Sequence, residues 1–382
     1  MFLEYGQEEK TSSIIYSGIY NSTSSTNSLN QFNMAEKITK DLNTTYGSIQ
    51  AIKARDNDVV VFTEDKVLKV MSSGKDVLFN AGGNAQLTST NRVLGTSTPF
   101  AGDYGISKNP ESLATDAYRM YFTDKQRGAV LRLSGNGITP ISDVGMKGYF
   151  REKLKYHTNI LGTFDGINDE YNLTLLKWDK FPTSSLDKTI SFNEKSKGWI
   201  SFKSFIPTSG VSVADRYYTT NDNKIYKHYV EKIGAQSNYN TFYDTTTPST
   251  IDVLFNESPS SMKSFLAIGY EGTQSRVLAN SQDNEFYNTA LKSGWSAASI
   301  ETNLQKGQIS EFIEKEGKWF NYIKGDNYAI TSNGTMGLVD MSNFNVQGLG
   351  FLLQSSYVGV NAYLGNVSAT DEDGNDYPQT PE

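Results

Sequence analysis

Residues 98–148 alternate apolar and polar positions with the period of a β-strand. Every second position is apolar on two arms of this stretch, which are Tyr118, Met120 and Phe122 on the first arm and Ala129, Leu131 and Leu133 on the second. An alternation with period two is typical of a strand that buries one face. A polar segment at 123–128 separates the arms and closes with Gly128, which can take the positive φ of a tight turn. A second turn at 134–137 leads into a third short strand, so the stretch predicts a meandering antiparallel sheet.

A similar order of residues occurs about 60 residues earlier in the chain. Each copy has an aromatic strand residue, a turn in which Thr stands beside an acidic or polar residue, and an apolar return strand with basic neighbours. Repeats of roughly 40–60 residues with several strands per unit are typical of β-propeller blades, although unrelated hairpins can share such an order. The matched segments are 46–49 with 104–107, 61–66 with 121–126, 67–70 with 130–133, and a weaker third copy at 217–220 and 224–227.

Residues 1–43 form a predicted N-terminal arm that precedes the repeats. A strand-like run covers 13–20, and a polar Asn, Ser and Thr tract follows it. We predict a short helix over 27–42, because Asn27 or Ser28 can cap its first turn and its apolar residues are loosely spaced at helical intervals. These apolar residues are Leu29, Phe32, Ile38 and Leu42. An initial strand without an obvious partner suggests one piece of a larger assembly.

The chain as a whole predicts a mainly β fold with one short N-terminal helix. Hairpin patterns continue through 44–235, which we interpret as a propeller-like domain of antiparallel hairpin blades. The Ser-, Asn- and Thr-rich stretch 236–249 predicts a boundary or an exposed loop. A second β-rich domain follows over 250–366, and the acidic, Pro-containing residues 367–382 are expected to be disordered. The strands predicted for this second domain are 250–255, 263–270, 294–304, a hairpin over 308–323 with its turn at Glu316-Gly317, and two strands within 345–364.

Composition agrees with a sheet protein and excludes several kinds of chemistry. Aromatic residues make up 12% of the 382 residues, and aromatic, Thr-rich chains with many glycines favour sheets joined by tight turns. The chain has no cysteine, which excludes disulfides, thiol catalysis and zinc–thiolate sites. Its net charge is −7 with both signs mixed, so no basic stripe indicates nucleic-acid binding. An acidic wall is still compatible with DNA that slides through a channel.

No targeting segment is predicted. Residues 1–10 are acidic and polar, unlike a secretory signal peptide. No run approaches the roughly 18 apolar residues of a membrane helix, so we expect no membrane segment. The lack of cysteine suits assembly in a reducing cytoplasm.

Candidate catalytic and metal-binding residues are few. His157 and His228 are the only histidines, and they lack the spacing of a metal site or the company of a Ser-His-Asp triad, so we expect both to pack on strand faces. The acidic run 371–376 places Gly374 at the fourth position of a calcium loop rather than the sixth, which favours a solvated tail. We therefore predict no catalytic, cofactor-binding or metal-binding residues and no cofactor.

Acidic and aromatic residues leave two alternatives to a structural role. Asp165, Asp169 and Glu170 share one turn, and propeller folds include glycosidases, which need two acids that face each other across a cleft. Some tryptophans could stack on sugars, but their alternation within strands favours core packing. These tryptophans are Trp199, Trp295 and Trp319.

Several longer segments resemble large virion structural proteins of tailed bacteriophages, within a span of about residues 28–350. The similar proteins come from marine and crAss-like phages, where they are tail components of the muzzle or nozzle type, and many of them are much longer than this chain. The resemblance implies no catalytic residues. The segments that carry it are 30–32 with 36–43 and 46–50, 64–69, 105–112, 121–124 with 127–133, and 198–199 with 202–205.

The resemblance implies a structural component of the virion tail, assembled in the cytoplasm of the host bacterium. Its expected partners are other copies of itself in a ring, other phage tail proteins, and transient contacts with genome DNA or the host surface. We expect the loops at 81–116 and 236–249 to provide contact surfaces, and ring symmetry requires head-to-tail interfaces. The alternatives are a receptor- or glycan-binding module at the tail tip and, less favoured, a propeller glycosidase.

Overall fold

In a computed structural model, the protein is mainly β and divides into two compact units, Met1–Thr250 and Ile251–Glu382. In the described part of the first unit, an N-terminal arm precedes four antiparallel sheets of three or four strands. The structure describes residues 9–33, 37–55, 58–72, 75–79, 85–89, 93–176, 187–233, 236–255, 263–279, 290–301, 306–309 and 311–325, with 257, 261, 328–329, 338–339 and 345–346.

The N-terminal arm is an antiparallel ribbon of strands β1 (Ser13–Ile15), β2 (Tyr20–Asn21), β3 (Thr26–Asn27) and β4 (Thr39–Asp41). β1 pairs with β4, β2 pairs with β3, and backbone hydrogen bonds from Tyr16 to Ile38 and from Gly18 to Gln31 join the two pairs. The prediction of a helix over 27–42 is therefore wrong for the described residues of that range. Strand pairing prevails over the weak helical spacing, because it lets the ribbon pack buried side chains against the first sheet.

The first sheet is a meander with an inserted hairpin. β5 (Ile49–Ala54), β6 (Asp58–Thr63) and β7 (Val67–Ser72) pair in sequence. The hairpin of β8 (Lys75–Phe79) and β9 (Ala85–Ser89) follows, and β10 (Leu94–Pro99) then returns to pair with β7. β6 and β7 are rich in Val, and most of their side chains are buried, as expected for strands covered on both sides.

The central stretch forms the second sheet, which confirms the predicted meander. Its strands are β11 (Ala114–Thr115), β12 (Met120–Asp124), β13 (Ala129–Ser134) and β14 (Gly137–Pro140), paired in chain order. Met120 lies opposite Leu133, and Phe122 lies opposite Leu131, so these predicted apolar positions share one face, whereas Tyr118 precedes the strand and is 88% exposed. However, all five residues of β12 are buried, so the expectation of a single buried face is wrong. The second face, with Tyr121, packs against the third sheet.

Helix α1 (Lys147–Tyr156) follows the second sheet at a place where the strand pattern predicts no helix. Phe150 and Leu154 are spaced i and i+4 and are buried in the core between the second and third sheets. Charged residues fill most of the other positions of the helix. In the described residues, the helix of this fold therefore lies between two sheets and not in the N-terminal arm.

The third and fourth sheets complete the first unit. The third is a four-stranded meander of β15 (Asn159–Asp165), β16 (Glu170–Leu176), β17 (Lys188–Asn193) and β18 (Gly198–Lys203). The fourth has three strands, β19 (Ser209–Val213), β20 (Arg216–Asn221) and β21 (Lys224–Lys227). Two short hairpins follow, of β22 (Lys232–Ile233) with β23 (Gln236–Ser237) and of β24 (Thr241–Phe242) with β25 (Thr245–Thr246).

The sheets pack face to face in chain order, and separate cores fill the spaces between them. Leu42 and Val61 belong to the core between the arm and the first sheet. Phe62 and Phe122 meet edge to face, with ring centroids 5.1 Å apart, in the core between the first and second sheets. Tyr121 stacks on Tyr171 at 4.9 Å between the second and third sheets. The result is a stack that begins with the ribbon and ends with the fourth sheet.

Glycines let successive sheets approach to backbone contact. A Cβ on Gly105 would lie 2.1 Å from the carbonyl oxygen of Glu64, which belongs to the turn of the first sheet. A Cβ on Gly162 of β15 would lie 2.0 Å from the carbonyl oxygen of Ser112, just before β11. A Cβ on Gly210 of β19 would lie 2.9 Å from Cγ2 of Thr163. A side chain at any of these three glycines, which lie before β11, within β15 and within β19, would collide with the neighbouring sheet or with the segment that leads into it.

The second unit consists of short strands among the residues that the structure describes. The predicted hairpin with a turn at Glu316-Gly317 is confirmed, since both residues have positive φ between the paired strands Ile313–Lys315 and Lys318–Tyr322. Residues 250–255 are not a strand, contrary to the prediction. The predicted acidic tail at 367–382 lies outside the described residues. The strands are β26 (Lys263–Ser264), β27 (Ala267–Tyr270), β28 (Ile300–Glu301), β29 (Lys306–Gln308), β30 (Ile313–Lys315), β31 (Lys318–Tyr322), β32 (Lys324–Gly325), β33 (Tyr328–Ala329), β34 (Leu338–Val339) and β35 (Asn345–Val346).

Candidate functional site

The acidic turn residues of the repeat hold equivalent hydrogen bonds in the first and second sheets. In the first sheet, the backbone N–H and the hydroxyl of Ser48 both donate to Oε1 of Glu64, at 3.1 and 2.5 Å. In the second, the N–H of Gly105 and the hydroxyl of Ser107 donate to the carboxylate of Asp124, at 3.2 and 3.0 Å. The hydrogen bonds from Ser48 lower the pKa of Glu64. In both sheets the carboxylate of the turn thus accepts hydrogen bonds from the matched Tyr-Gly segment, although the donors, Ser48 in one sheet and Gly105 and Ser107 in the other, are not aligned residues.

The segment before the second sheet also ties that sheet to the first. The N–H of Ile106 donates to the carbonyl oxygen of Thr63, and the N–H of Ser107 donates to that of Glu64, both at 3.0 Å. Asp124 is fully buried and pairs with Arg127 at 2.9 Å. Two neighbouring turns are thus locked together through backbone groups, which makes the contact between the sheets rigid.

The contact between the third and fourth sheets is polar although it is buried. One face of the third sheet carries Thr163, Asn172 and Ser191, all of which are at most 3% exposed. The Oγ1 of Thr163 lies 2.8 Å from the hydroxyl of Tyr217 on β20, and the amide of Asn172 donates to the same hydroxyl at 3.3 Å. Burial raises the pKa of Tyr217 to about 12. The polar groups satisfy one another, which a buried polar network requires.

His228 follows β21 and packs beside Tyr217 at the inner face of the fourth sheet. Its Nε2 lies 2.7 Å from Oγ1 of Thr219, which is in turn 2.8 Å from the hydroxyl of Tyr243. The rings of Phe205 and Tyr217 lie 4.6 and 4.8 Å from the imidazole. Burial lowers the pKa of His228 to about 4, so the ring is neutral near pH 7.

Both histidines are buried, but neither lies in a strand, so the prediction that they pack on strand faces is wrong. His157 follows helix α1 and is buried, and its Nδ1 lies 2.7 Å from the carbonyl oxygen of Lys153. His228 sits in the aromatic cluster just described. A carbonyl oxygen only accepts, so Nδ1 of His157 carries the proton of that hydrogen bond.

The acids suggested for a glycosidase are engaged in separate interactions. Asp165 is buried and accepts hydrogen bonds from the hydroxyl of Tyr229 and from the N–H of Ile167. Asp169 pairs with Lys195 at 3.0 Å, and Glu170 pairs with Lys203 at 2.9 Å. Asp165 lies directly opposite Glu170 across the hairpin rather than across a cleft. The three acids thus hold hydrogen bonds and ion pairs within the third sheet and its neighbourhood.

The tryptophans differ in their surroundings. The indole N–H of Trp199 donates to the carbonyl oxygen of Ile141 at 3.0 Å, and its ring packs on Phe150 at 4.5 Å. Trp319 is buried in the second unit, where it stacks on Tyr270. Trp295 is 43% exposed. Core packing is thus confirmed for two of the three candidate residues.

The outer face of the fourth sheet is exposed in the described part of the first unit. The register places Val211 opposite Tyr218 and Val213 opposite Arg216, and Tyr218 opposite Lys227. These side chains lie on the face that points away from the third sheet, since Tyr217 and Thr219 occupy the inner face. Val211 and Val213 are each 55% exposed, and Ile225 on the same face is 74% exposed. We call these residues the uncovered face.

The predicted contact loops have different structures. The described part of 81–116 includes β9 and β10, and its end runs between the first and second sheets, where Ile106 and Ser112 are buried. The stretch 236–249 contains β24 and β25 and is largely exposed around Tyr239. Neither the polar network nor the uncovered face was foreseen from the sequence. The alternation of β19, in which Val211 and Val213 share one face, could have indicated the uncovered face.

No group of three or more His, Asp or Glu side chains in the described residues is arranged to hold a metal ion. No helix there has the length and apolar character to span a membrane. The acidic run 371–376 lies outside the described residues.

Comparison with protein families decides the affiliation of the chain. Residues 6–223 match the Crassvirus muzzle protein family, and residues 237–326 match the Crassvirus muzzle protein C-terminal domain. The chain belongs to the Crassvirus muzzle protein family. No curated protein sequence matches the chain.

Membership of the muzzle family confirms the resemblance to crAss-like phage tail proteins. A muzzle protein is a structural component of the phage virion. The first match covers the ribbon and the sheet stack up to β20, and the second begins after β22. The uncovered face is thus carried by a virion protein, in which contacts with other virion proteins are to be expected.

Proposed function

We propose that this muzzle-family protein is a wall subunit of the phage tail and assembles as a closed ring of identical copies through head-to-tail contacts. The observation that carries the proposal is a stack of sheets that ends on an exposed, partly apolar face. Exposed apolar faces of this kind are typical of protein–protein contact sites. The two ends of the stack, the N-terminal ribbon and the outer face of the fourth sheet, are different surfaces, which favours a heterologous contact between copies. Heterologous contacts build a ring when the rotation from one copy to the next returns to the first copy.

We also propose that the sheets of residues 44–235 are blades of a propeller-like domain. The close approaches at Gly162 and Gly210 support this arrangement, because they bring β15 against the segment just before β11 and β19 against β15. In a propeller, the first strands of successive blades adjoin one another around the central axis. A separate β-rich domain over 250–366 completes the proposed organisation.

The wall is proposed to let genome DNA pass without holding it. The net charge of −7 supports this role, since an acidic surface repels phosphates and avoids the counterion-driven binding of basic proteins. Assembly in the host cytoplasm is supported by the absence of cysteine. Other tail proteins and the host surface are the remaining proposed partners.

Imaging of purified virions tests this function. Particles are labelled with gold-conjugated antibody against the chain and viewed in negative stain. Label on the tail axis is the expected result. Label on peripheral fibres contradicts a wall role and favours adhesion, and unlabelled particles that contain no copy of the chain by mass spectrometry contradict a virion role.

A receptor- or glycan-binding module is the second candidate, favoured by two exposed aromatic side chains outside the strands. Tyr118 is 88% exposed in the turn before β12, and Tyr239 is 64% exposed before β24. Exposed aromatic rings are common in sugar recognition. A glycan array probed with the whole chain tests this candidate, which requires binding that is lost when both residues are changed to Ala. A blank array rejects it.

A further inference from the structure

Helix α1 carries a row of cations along one side. Lys147, Arg151 and Lys155 are spaced i, i+4 and i+8, so they follow one another on the same side of the helix, about 6 Å apart along its axis. All three side chains are exposed. We call these three residues the basic stripe. The strand pattern of the sequence predicts no helix here, so the stripe is recognised only in the structure.

The basic stripe lies beside the turn between β12 and β13. A Cβ on Gly128 in that turn would be 2.7 Å from the Cα of Arg151. The acids on this side are already engaged, since Asp124 and Asp65 pair with Arg127 at 2.9 and 3.4 Å. The neighbouring turn therefore does not neutralise the stripe.

In the described part of the chain, Arg151 and Lys155 form no ion pair. Lys147 pairs with Asp143 at 3.3 Å, but these side chains are 74% and 43% exposed, and such a surface pair contributes little. Glu152 is the one acid of the helix and points away from Arg151, because adjacent helical residues differ by about 100° in direction. The chain has 42 acidic and 35 basic side chains, so cations left together without partners indicate an anion from outside the chain.

The helix dipole explains only part of this arrangement. Cations are favourable in the last turn of a helix, which accounts for Lys153 and Lys155. Lys147 is in the first turn, where the dipole disfavours a cation, and Arg151 is in the middle of the helix. The dipole also has no preference for one side of the helix, whereas the stripe keeps to one side along its whole length.

The chemistry of the basic stripe fits a polymer of regularly spaced phosphates. Each strand of duplex DNA carries one negative charge per about 3.4 Å of axis, and Lys and Arg side chains commonly contact its phosphate oxygens. The centre of a protein–protein interface, in contrast, is enriched in aromatic residues and depleted in Lys. The stripe has no apolar member, so its composition favours DNA over an acidic protein.

We infer that the basic stripe of α1 contacts the phosphate backbone of DNA. This inference rests on the proposed passage of genome DNA along the wall and names the residues that meet it. Three phosphate contacts per copy are few, and they read no base sequence, so the DNA can still slide. The stripe thus provides a local attraction on a chain whose net charge is −7.

Fluorescence anisotropy of a labelled DNA duplex of about 20 base pairs tests the contact, with the full-length chain titrated between about 50 and 200 mM salt. The logarithm of the affinity is expected to fall with the logarithm of the salt concentration, with a slope of about −3 for each copy that touches the duplex. Arg151→Ala combined with Lys155→Ala is expected to lower the slope by about two-thirds and the affinity at the lowest salt at least about tenfold. Alanine favours the helix, so this variant keeps its fold.

Lys153→Ala is the matched control, because Lys153 is exposed on the opposite side of the same helix. It is expected to leave the salt slope unchanged. An equal loss in this control shows a general charge effect and overturns the inference, as does a wild-type chain that binds no DNA at the lowest salt.

A parallel titration with labelled poly-glutamate of matched charge separates the two classes of partner. Binding of poly-glutamate that requires the basic stripe, together with no binding of DNA, overturns the inference in favour of an acidic protein. The wall function is tested independently by labelling of virions. A chain that lies on the tail axis and does not bind DNA therefore loses this inference alone.

Discussion

Gly162 of β15 lies directly against the backbone of Ser112, so that a Cβ at residue 162 would be 2.0 Å from the Ser112 carbonyl oxygen. The opposing atom belongs to the backbone and cannot turn aside as a side chain could. We expect Gly162→Ala to separate the second and third sheets and to lower the free energy of unfolding by about 2–3 kcal/mol. Urea unfolding followed by tyrosine and tryptophan fluorescence measures the change.

Gly148→Ala is the matched control for that substitution. Nothing lies within 4 Å of a Cβ at Gly148, which is in the first turn of α1, and Ala is the better helix former. We expect this variant to be as stable as the wild type or slightly more stable. Equal destabilisation by the two alanines would contradict the close approach at Gly162.

Tyr217 provides the hydroxyl that joins the fourth sheet to the third. Tyr217→Phe removes the partner of Thr163 and Asn172 and leaves their polar atoms buried, so we expect a loss of about 1–2 kcal/mol in unfolding free energy. Tyr118→Phe, at an exposed position, is expected to change nothing measurable. Full stability of Tyr217→Phe in urea unfolding would show that the polar network is dispensable.

The acidic turn residues are expected to differ in importance. Asp124 is fully buried and accepts hydrogen bonds from Gly105, Ser107 and the Arg127 side chain, so Asp124→Asn is expected to cost about 2–4 kcal/mol of unfolding free energy. Glu64 is more exposed, and Glu64→Gln is expected to cost about 1 kcal/mol. Glu152→Gln on α1 is the control. A larger loss at Glu64 than at Asp124 would contradict the structure of the turns.

His228 makes stability depend on pH in a defined direction. Its pKa is about 4 in the folded chain, below the ordinary value of 6.5. Between pH 4 and pH 6.5 the imidazole is therefore protonated in the unfolded chain and neutral in the folded chain. The stabilising effect of the neutral ring is therefore complete above about pH 6.5 and is lost as the pH falls toward 4. The loss is on the order of 3 kcal/mol at pH 4.

His228→Gln isolates this effect, since Gln can still bond Thr219 but does not titrate. We expect the difference in unfolding free energy between wild type and variant to change between pH 7 and pH 4.5, with the wild type losing more. Glu64, whose pKa is lowered by Ser48, loses its own contribution only below about pH 4.5. Parallel pH profiles of the two proteins would contradict a buried neutral imidazole.

The local pairing of strands could be predicted from the sequence, because period-two alternation and turn residues act over a few residues. The hairpin from Met120 to Leu133 and the turn at Glu316 were found in this way. Alternation does not reveal what covers the second face of a strand. Asn172 and Thr163 look solvent-facing beside Tyr171 and Leu173, yet the fourth sheet buries them.

The remaining differences arise from contacts between residues distant in sequence. The ribbon pairs Ser13 with Asp41, which outweighs a weak helical spacing, and α1 depends on only two buried residues, Phe150 and Leu154. The uncovered face could not be identified before the order of the sheets was known. The sequence match between Glu64 and Asp124 corresponds to a shared structural feature, since each carboxylate accepts a hydrogen bond from a serine hydroxyl.

Native mass spectrometry of the purified full-length chain tests the central claim most directly. The account predicts one closed assembly whose mass is a fixed multiple of the 42.4 kDa chain and does not change with concentration. A protein that remains at the mass of one chain throughout the concentration range would contradict it.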